Sequence, residues 1–495
     1  MYLLGLDIGS SSVKVAIVKA SDAAVVASCQ QPKTEMDIMV NGNGWAEQDP
    51  ESWWLFAQQA IRQAIEEAGI DGQLIQSIGI SYQMHGLVLV DKNLNVLRPS
   101  IIWCDSRAVS IGNEAFEALG STYCLQHLLN SPGNFTASKL KWVKDNEPEI
   151  YAQIHKIMLP GDYINMMLTG EVNTTYTGLS EGIFWDYIEG DVSVPLLDHY
   201  GIDKDLLPPM LSSISDQGTI QDQLARDLGI NPKAKVTYRA GDQPNNAMSL
   251  GVLSPGQIAA TGGTSGVIYA VTDQYAYDKE SRINSFAHVN HTKNTKRIGM
   301  LLCINGAGIQ YAWLRKNMAE DNTTYSDMEQ AMSTIPIGSE DLRIIPFGNG
   351  AERILSNRNV GATISNLQFN KHGKAHIYRA AIEGIAFSYM YGFQILKTLG
   401  LQPTDIKVGN DNLFQSHTFS TTVANLLGTT IAIVDTNGAI GAAKASGVQI
   451  GAFTNLTEAM STNTVLKEYH PHEDNNAYVA AYDAWHTDLQ HIIKT

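Results

Sequence analysis

The sequence predicts an α/β protein built from two large halves, and three observations point there. A strand, a turn of small residues and a second strand open the chain between Tyr2 and Lys19. The same unit returns at Ile258, about 250 residues later, which is half of the 495-residue chain and the mark of an internal duplication. Between and after these units, short β-branched runs alternate with helical segments, as in sheets covered by helices.

Taken in order, Leu3, Leu4 and Leu6 lead into a turn of Asp7, Ile8, Gly9, Ser10, Ser11 and Ser12, and Val13, Val15, Ile17 and Val18 lead out. Asp49-Pro50-Glu51 reads as an N-cap, a proline in the first turn and an acidic start, so a helix is expected to about Ala68, closed by Gly69. Ile75 to Tyr82 and Leu87 to Val90 are apolar runs of buried-strand type, and Ser100 to Ile102 and Ala234 to Tyr238 are strands. Thr136 to Asn146 is a helix with Leu140, Trp142 and Val143 inward. The cluster Gly251, Pro255 and Gly256 marks a boundary, which divides the chain into 1–248 and 249–495. In the second half, Ile258 to Ala260 enter a turn at Thr261 to Gly266, and Val267, Ile268, Tyr269 and Val271 leave it. Ala375 to Leu399 is a long helix closed by Gly400, and Phe414 to Leu427 and Ile440 to Ser446 are helical.

Composition excludes several classes. Apolar residues are 44% and charged residues 17%, with no long charge run, so disorder is not expected. The 34 basic and 50 acidic residues give a formal charge of −16, which repels nucleic acid and anionic membranes. The start, MYLLGLDIGSSS, lacks a basic region before an apolar stretch, and no apolar run reaches the roughly 18 residues that span a bilayer, so a cytoplasmic protein is expected. Cys29, Cys104, Cys124 and Cys303 form no CxxC pair and are expected as buried free thiols, and the thirteen histidines show no HExxH.

The chemistry must sit elsewhere than in a P-loop or a GxGxxG turn, since neither exists. Two Gly/Ser turns after strands let backbone N–H groups approach an anion, and a pair of them can grip a polyphosphate from both sides. Asp7 at the first turn would repel a phosphate unless a hard cation such as Mg²⁺ lay between them. Asp242 follows the strand ending at Tyr238, where α/β proteins place ligands, and is a candidate proton acceptor for a substrate hydroxyl. Met84-His85-Gly86 lies between two strands. Trp103 and Asp105 follow another, a pairing of aromatic face and carboxylate that suits a sugar.

The order Asp7-Ile-Gly-Ser-Ser-Ser, Gln83-Met-His-Gly86, Ile102-Trp-Cys-Asp-Ser-Arg107, Gly241-Asp242 and Gly262-Gly-Thr-Ser-Gly266 resembles the FGGY carbohydrate kinases over about residues 2–450. Met-His-Gly after its strand is most similar to the branch that acts on D-xylulose. The resemblance implies two actin-like ATPase (ribonuclease H-like) domains with a cleft between them, sugar on the N-terminal side and nucleotide on the C-terminal side. It implies ATP as co-substrate with Mg²⁺. By position it makes Asp242 the base and Asp7 the metal-linked aspartate, both beside the ion. It places Met84, His85, Trp103, Asp105, Asn134 and Gln243 on the sugar side, and Ser10, Ser11, Lys14, Gly263, Thr264, Gly306, Gln310, Gly409 and Asn412 on the ATP side. Two positions depart from the pattern. Gln243 stands where asparagine is usual, and Val408-Gly-Asn-Asp-Asn-Leu-Phe-Gln-Ser416 replaces an adenine-side Gly-Gly-Gly-Ala-Arg-Ser. The expected activity is phosphorylation of D-xylulose to its 5-phosphate. The alternatives are a kinase for ribulose, gluconate, glycerol or a similar compound, or a non-catalytic sugar sensor. The expected partners are sugar and ATP alone, with neither nucleic acid nor membrane, and the oligomeric state stays open, a homodimer included.

Overall fold

The computed structural model describes residues 1–410 and 412–494, with Asn412 described by its backbone alone. Two sheets carry the architecture. The first holds β1 (Tyr2–Ile8), β2 (Val13–Lys19), β3 (Val25–Gln31), β4 (Ile75–Tyr82) and β5 (Lys235–Gly241), in the order β5-β4-β1-β2-β3. Strands β1, β4 and β5 run parallel, and β2 and β3 are antiparallel to their neighbours. The second holds β6 (Gln257–Gly262), β7 (Gly266–Thr272), β8 (Asn284–Ala287), β9 (Ile298–Ile304), β10 (Asp405–Gly409), β11 (Ile431–Asp435) and β12 (Thr464–Tyr469), ordered β8-β9-β7-β6-β10-β11-β12. Without its edge strands β8 and β12, this sheet repeats the order and the directions of the first. The duplication read from two turns extends to the sheets.

The covering helices form where the sequence supplies caps and one apolar face. Helix α1 (Pro50–Ala68) starts at Asp49, whose side chain accepts from the Glu51 N–H, and ends at Gly69 with φ of 60°. Its buried face, Trp53, Ala57, Ala60, Ile61 and Ala64, lies on β2 and β3. Each large side chain so buried contributes about 1.5–3 kcal/mol. Helices α2 (Thr136–Asn146) and α3 (Tyr176–Glu181) belong to the first half, and α4 (Asp242–Ser249) leads out of it. The second half carries α5 (Gly308–Asn317), α6 (Tyr325–Ser333), α7 (Lys374–Thr398), α8 (His417–Leu427) and α9 (Gly438–Gln449). Helix α8 starts three residues later than expected because Ser416 caps it, accepting from the Phe419 N–H, while 412–415 form a separate 3₁₀ turn.

The packing crosses the sequence division. Helix α9, from the second half, lies on the first sheet against β1 and β4. Its small residues allow this. A Cβ on Gly5 would sit 1.9 Å from the Ala439 carbonyl oxygen, and one on Gly79 would sit 2.0 Å from that of Ala442. Helix α4 packs on α9 in turn, where a Cβ on Gly441 would meet Ser249 Oγ at 1.6 Å. A cut at 248/249 therefore falls within the last turn of α4, and α9 returns across it.

No described helix is long and apolar enough to cross a membrane. Cys29 and Cys124 are buried as expected, Cys303 is half-buried, and Cys104, on the loop after Trp103, is exposed, a correction to the expectation of four buried thiols.

Candidate active site

Asp7 and Asp242 come together although 234 residues separate them in sequence, 242 − 7 − 1. Asp7 ends β1 and accepts a 2.8 Å hydrogen bond from Ser81 Oγ on the neighbouring strand. Its Oδ2 lies against the first turn of α9, 2.5 Å from where a Cβ of Gly438 would be. Burial raises its pKa, and the Ser81 hydrogen bond and the Lys14 charge oppose that rise. Asp242 is the first residue of α4, directly after β5. Burial and then the Asp7 charge push its carboxyl up to about 7, against hydrogen bonding from Gln243. A carboxylate there can take a proton near neutral pH. Two carboxylates that disfavour each other's ionisation also form a place that a divalent cation relieves. The described residues hold no group of three or more His, Cys, Asp or Glu side chains arranged as a metal site. Two carboxylates suffice for Mg²⁺, which keeps waters and takes substrate phosphate oxygens as its other ligands.

Met84 and His85 follow β4. His85 has φ of 63°, and its Nδ1 lies 2.9 Å from the Glu181 carbonyl, so Nδ1 carries the hydrogen and Nε2 is left as an acceptor. Burial first, then the Lys139 charge, holds its pKa down to about 3, so the ring is neutral. Phe135 from the first half lies edge-on to it at 4.8 Å, and Phe286 of β8 lies tilted at 5.3 Å. Trp103 is 53% exposed, and its Nε1 reaches Ser10 Oγ at 3.4 Å, linking the sugar-side loop to the first turn.

Other predicted sugar-side residues do structural work. Asp105 is fully buried, and its carboxylate accepts from Arg107 and, at 2.6 Å, from the Ala46 N–H. It fixes its own loop and offers no free oxygen face to a sugar, which corrects the expectation. Asn134 donates to the Asp105 backbone carbonyl and holds the same loop. Gln243 hydrogen bonds its neighbour Asp242.

In the second half, expected to hold the nucleotide, Gly263 and Thr264 line a cavity of about 790 Å³ with Gly308, Tyr311, Tyr325, Glu329, Asn410, Leu413 and Ser416. Gly308 approaches so closely that its Cβ would sit 2.2 Å from the Gly263 carbonyl oxygen. Tyr311 and Tyr325 stack at 5.0 Å, a flat apolar wall of the kind a base uses. Gly306, Gln310 and Gly409 lie outside this lining. The Gly306 N–H is taken by Glu352 at 2.6 Å, so it cannot serve a phosphate, again a correction. Asn412 as a ligand lies outside the described side chains. Ser11 and Lys14 are exposed at and beside the first turn.

Sequence reasoning missed several participants. Lys139 on α2 is fully buried and donates to the carbonyls of His85 at 2.8 Å and Ile102 at 2.9 Å, fixing the left-handed His85 turn. Burial lowers its pKa to about 7. A lysine between Ala137 and Leu140 on a buried helix face was the available signal. Glu181 is buried beside Met84 and under Gly241, with the Tyr82 hydroxyl as the group that engages its carboxyl, and burial raises its pKa well above the ordinary range. Nothing in its local sequence announces it.

The repeated sheet with crossing helices α4 and α9 is the actin-like ATPase architecture. A pair of buried carboxylates at the strand ends and a glycine turn beside a cavity of about 790 Å³ are compatible with a kinase. Comparison with known proteins agrees. The model for the N-terminal domain of the FGGY family of carbohydrate kinases matches residues 2–249, and that for the C-terminal domain matches residues 258–450. A xylulose kinase of Bacillus subtilis is 27% identical over 469 residues, covering 92% of this chain and 90% of the relative. A crystal structure of a xyloylose kinase from Brucella ovis superposes with TM-score 0.90 at 24% identity over 99% of each chain. A gluconate kinase from Lactobacillus acidophilus superposes almost as well, with TM-score 0.88 at 23% identity over 99% of this chain and 98% of its own, so the fold alone does not choose the sugar. The chain belongs to the FGGY family of carbohydrate kinases and is a sugar kinase.

Proposed function

We propose that the protein transfers the γ-phosphoryl group of ATP to D-xylulose, giving the 5-phosphate. The observation that carries this reading is the grouping of Met84, a neutral His85 with an acceptor Nε2, and Asp242 at the ends of β4 and β5. Curated relatives named xylulose kinases support it. In this mechanism His85 Nε2 accepts a hydrogen bond from a sugar hydroxyl, and the exposed Trp103 face covers the sugar. Asp242 takes the proton of the attacking hydroxyl. The Gly263–Thr264 turn and Ser10 and Ser11 present N–H and hydroxyl groups to the phosphates. Asp7 and Asp242 would hold Mg²⁺, which when bound would supply charge neutralisation to the phosphates. Residues 1–248 supply the sugar side and residues 249–495 the nucleotide side, apart from α9.

An ADP-release assay with Mg·ATP across pentuloses, polyols and aldonates tests the reading. D-xylulose is expected to give the highest kcat/KM. Strong turnover of gluconate or L-ribulose with none of D-xylulose overturns it. That second reading, a kinase for another polyhydroxy compound, draws on Gln243, whose hydrogen bonding to Asp242 reshapes the sugar side. Sugar binding by calorimetry with no ADP under any condition would point to a sensor.

A further inference from the structure

We infer that Arg353 is a catalytic residue of the phosphoryl transfer, donating from its free guanidinium nitrogen to the oxygens of the phosphoryl group in transit. The inference rests on the kinase reading above.

Three observations place the side chain. The guanidinium is fixed on one side: Nε donates to the Ser281 carbonyl at 3.0 Å and Nη2 to Asn284 Oδ1 at 2.7 Å. Among the described residues Nη1 makes no hydrogen bond and no carboxylate pairs with Arg353, and Nη1 is not sealed from solvent. Asp278, whose charge it feels, is already paired with Arg282. Second, the anchor leads to the sugar side. Asn284 and Phe286 lie on one face of β8, two residues apart, and Phe286 touches the His85 ring. Third, the preceding residue leads to the nucleotide side. Glu352 accepts from the N–H groups of Asn305 at 3.0 Å and Gly306 at 2.6 Å, and the loop they open places Gly308 N–H on the Gly263 carbonyl at 3.1 Å. Arg353 thus stands between the second phosphate turn and the sugar-side histidine. Its charge is felt at His85, and also at Cys303, which feels Asp242 as well. A planar, permanently charged donor set held there by two hydrogen bonds matches the oxygens of a phosphoryl group. No new bond chemistry is implied: the O–P bond forms at the sugar hydroxyl, the bond to ADP breaks, the proton goes to Asp242, and Arg353 only shares the charge.

The test is steady-state kinetics of Arg353→Ala and Arg353→Lys with D-xylulose and Mg·ATP, with and without added methylguanidinium. Arg353→Ala is expected to lower kcat by about 10²–10³, with KM for D-xylulose changed by less than about threefold. Methylguanidinium is expected to restore part of the rate, and Arg353→Lys to fall between. Should Arg353→Ala fail to fold, calorimetry of D-xylulose 5-phosphate against D-xylulose on wild type and Arg353→Lys decides: the lysine variant is expected to weaken phosphate-ester binding selectively. An Arg353→Ala enzyme within threefold of wild-type kcat, a loss without rescue that falls on KM for the sugar, or equal phosphate-ester affinities in wild type and Arg353→Lys overturns the inference. Wild-type protein that phosphorylates no sugar overturns the kinase reading and this inference with it.

Discussion

The two halves open on the same strand–turn–strand unit, yet the turns are equipped for different work. The first carries Asp7, tied to Ser81, and burial together with the Asp7 charge raises the Asp242 carboxyl to about 7. The second, Gly262 to Gly266, carries no charged side chain, and Gly308 presses on its backbone before a cavity of about 790 Å³. One copy of the unit works through side-chain charge and the other through backbone approach. A duplicated scaffold can therefore hold a substrate hydroxyl on one wall and phosphates on the other, because a carboxylate is useful beside a proton and harmful beside a bare phosphate.

Removing the charge from the first wall should have the largest effect. Asp242→Asn is expected to lower kcat by about 10²–10⁴ while KM for ATP stays within about threefold. Unchanged turnover of the purified variant would remove Asp242 as the base and break the contrast. The backbone wall answers to a methyl group. Gly308→Ala places a Cβ against the Gly263 carbonyl, so KM for ATP should rise on the order of 10- to 100-fold while KM for D-xylulose holds. Equal rises for both substrates would mean that the second turn is not specific to the nucleotide.

A third experiment concerns the scaffold of the charged wall. Burial lowers the Lys139 pKa to about 7 in the folded protein, against the ordinary lysine value of 10.5. Between those values the unfolded chain binds the extra proton, so stability rises with pH from about 7 to about 10.5. Below 7 the folded state carries the full penalty of a buried charge. Chemical denaturation of wild type and Lys139→Met across this range should show the rise in wild type only, and parallel curves would place the ammonium in water. The smallest effect is expected at the cap of α8 behind the nucleotide cavity. Ser416→Ala removes the acceptor for the Phe419 N–H and the donor to Glu329 Oε2 at 2.6 Å, at a cost of about 1 kcal/mol in urea denaturation. A loss of ATP affinity larger than the loss of stability would move Ser416 from scaffold to ligand.

Much of the fold was legible because its signals are local. The Asp49 cap and Gly69 stop bound α1, Gly400 closes α7, and the run Ile75–Tyr82 is a strand as read. What was legible of the candidate site was position: Asp7, Met84, His85 and Asp242 lie at or just past strand ends, as read. Legibility failed where a polar group's partner is distant in sequence. Asp105 looked like a sugar ligand, and Arg107 with the Ala46 N–H had already engaged it. Gly306 looked like part of a phosphate turn, and Glu352, 46 residues on, holds its N–H.

By itself the sequence determined the class, the duplicated unit, the residues at the strand ends and the family they resemble, because strand alternation, capping and turn chemistry act over a few residues. Only the tertiary structure decided that α9 returns to the first sheet, that Asp105 is scaffold, and that Lys139, Glu181 and Arg353 stand around the site. Those outcomes depend on burial and on which hydrogen-bond partners lie within 3 Å, and a chain fixes such neighbours only once its distant segments have packed.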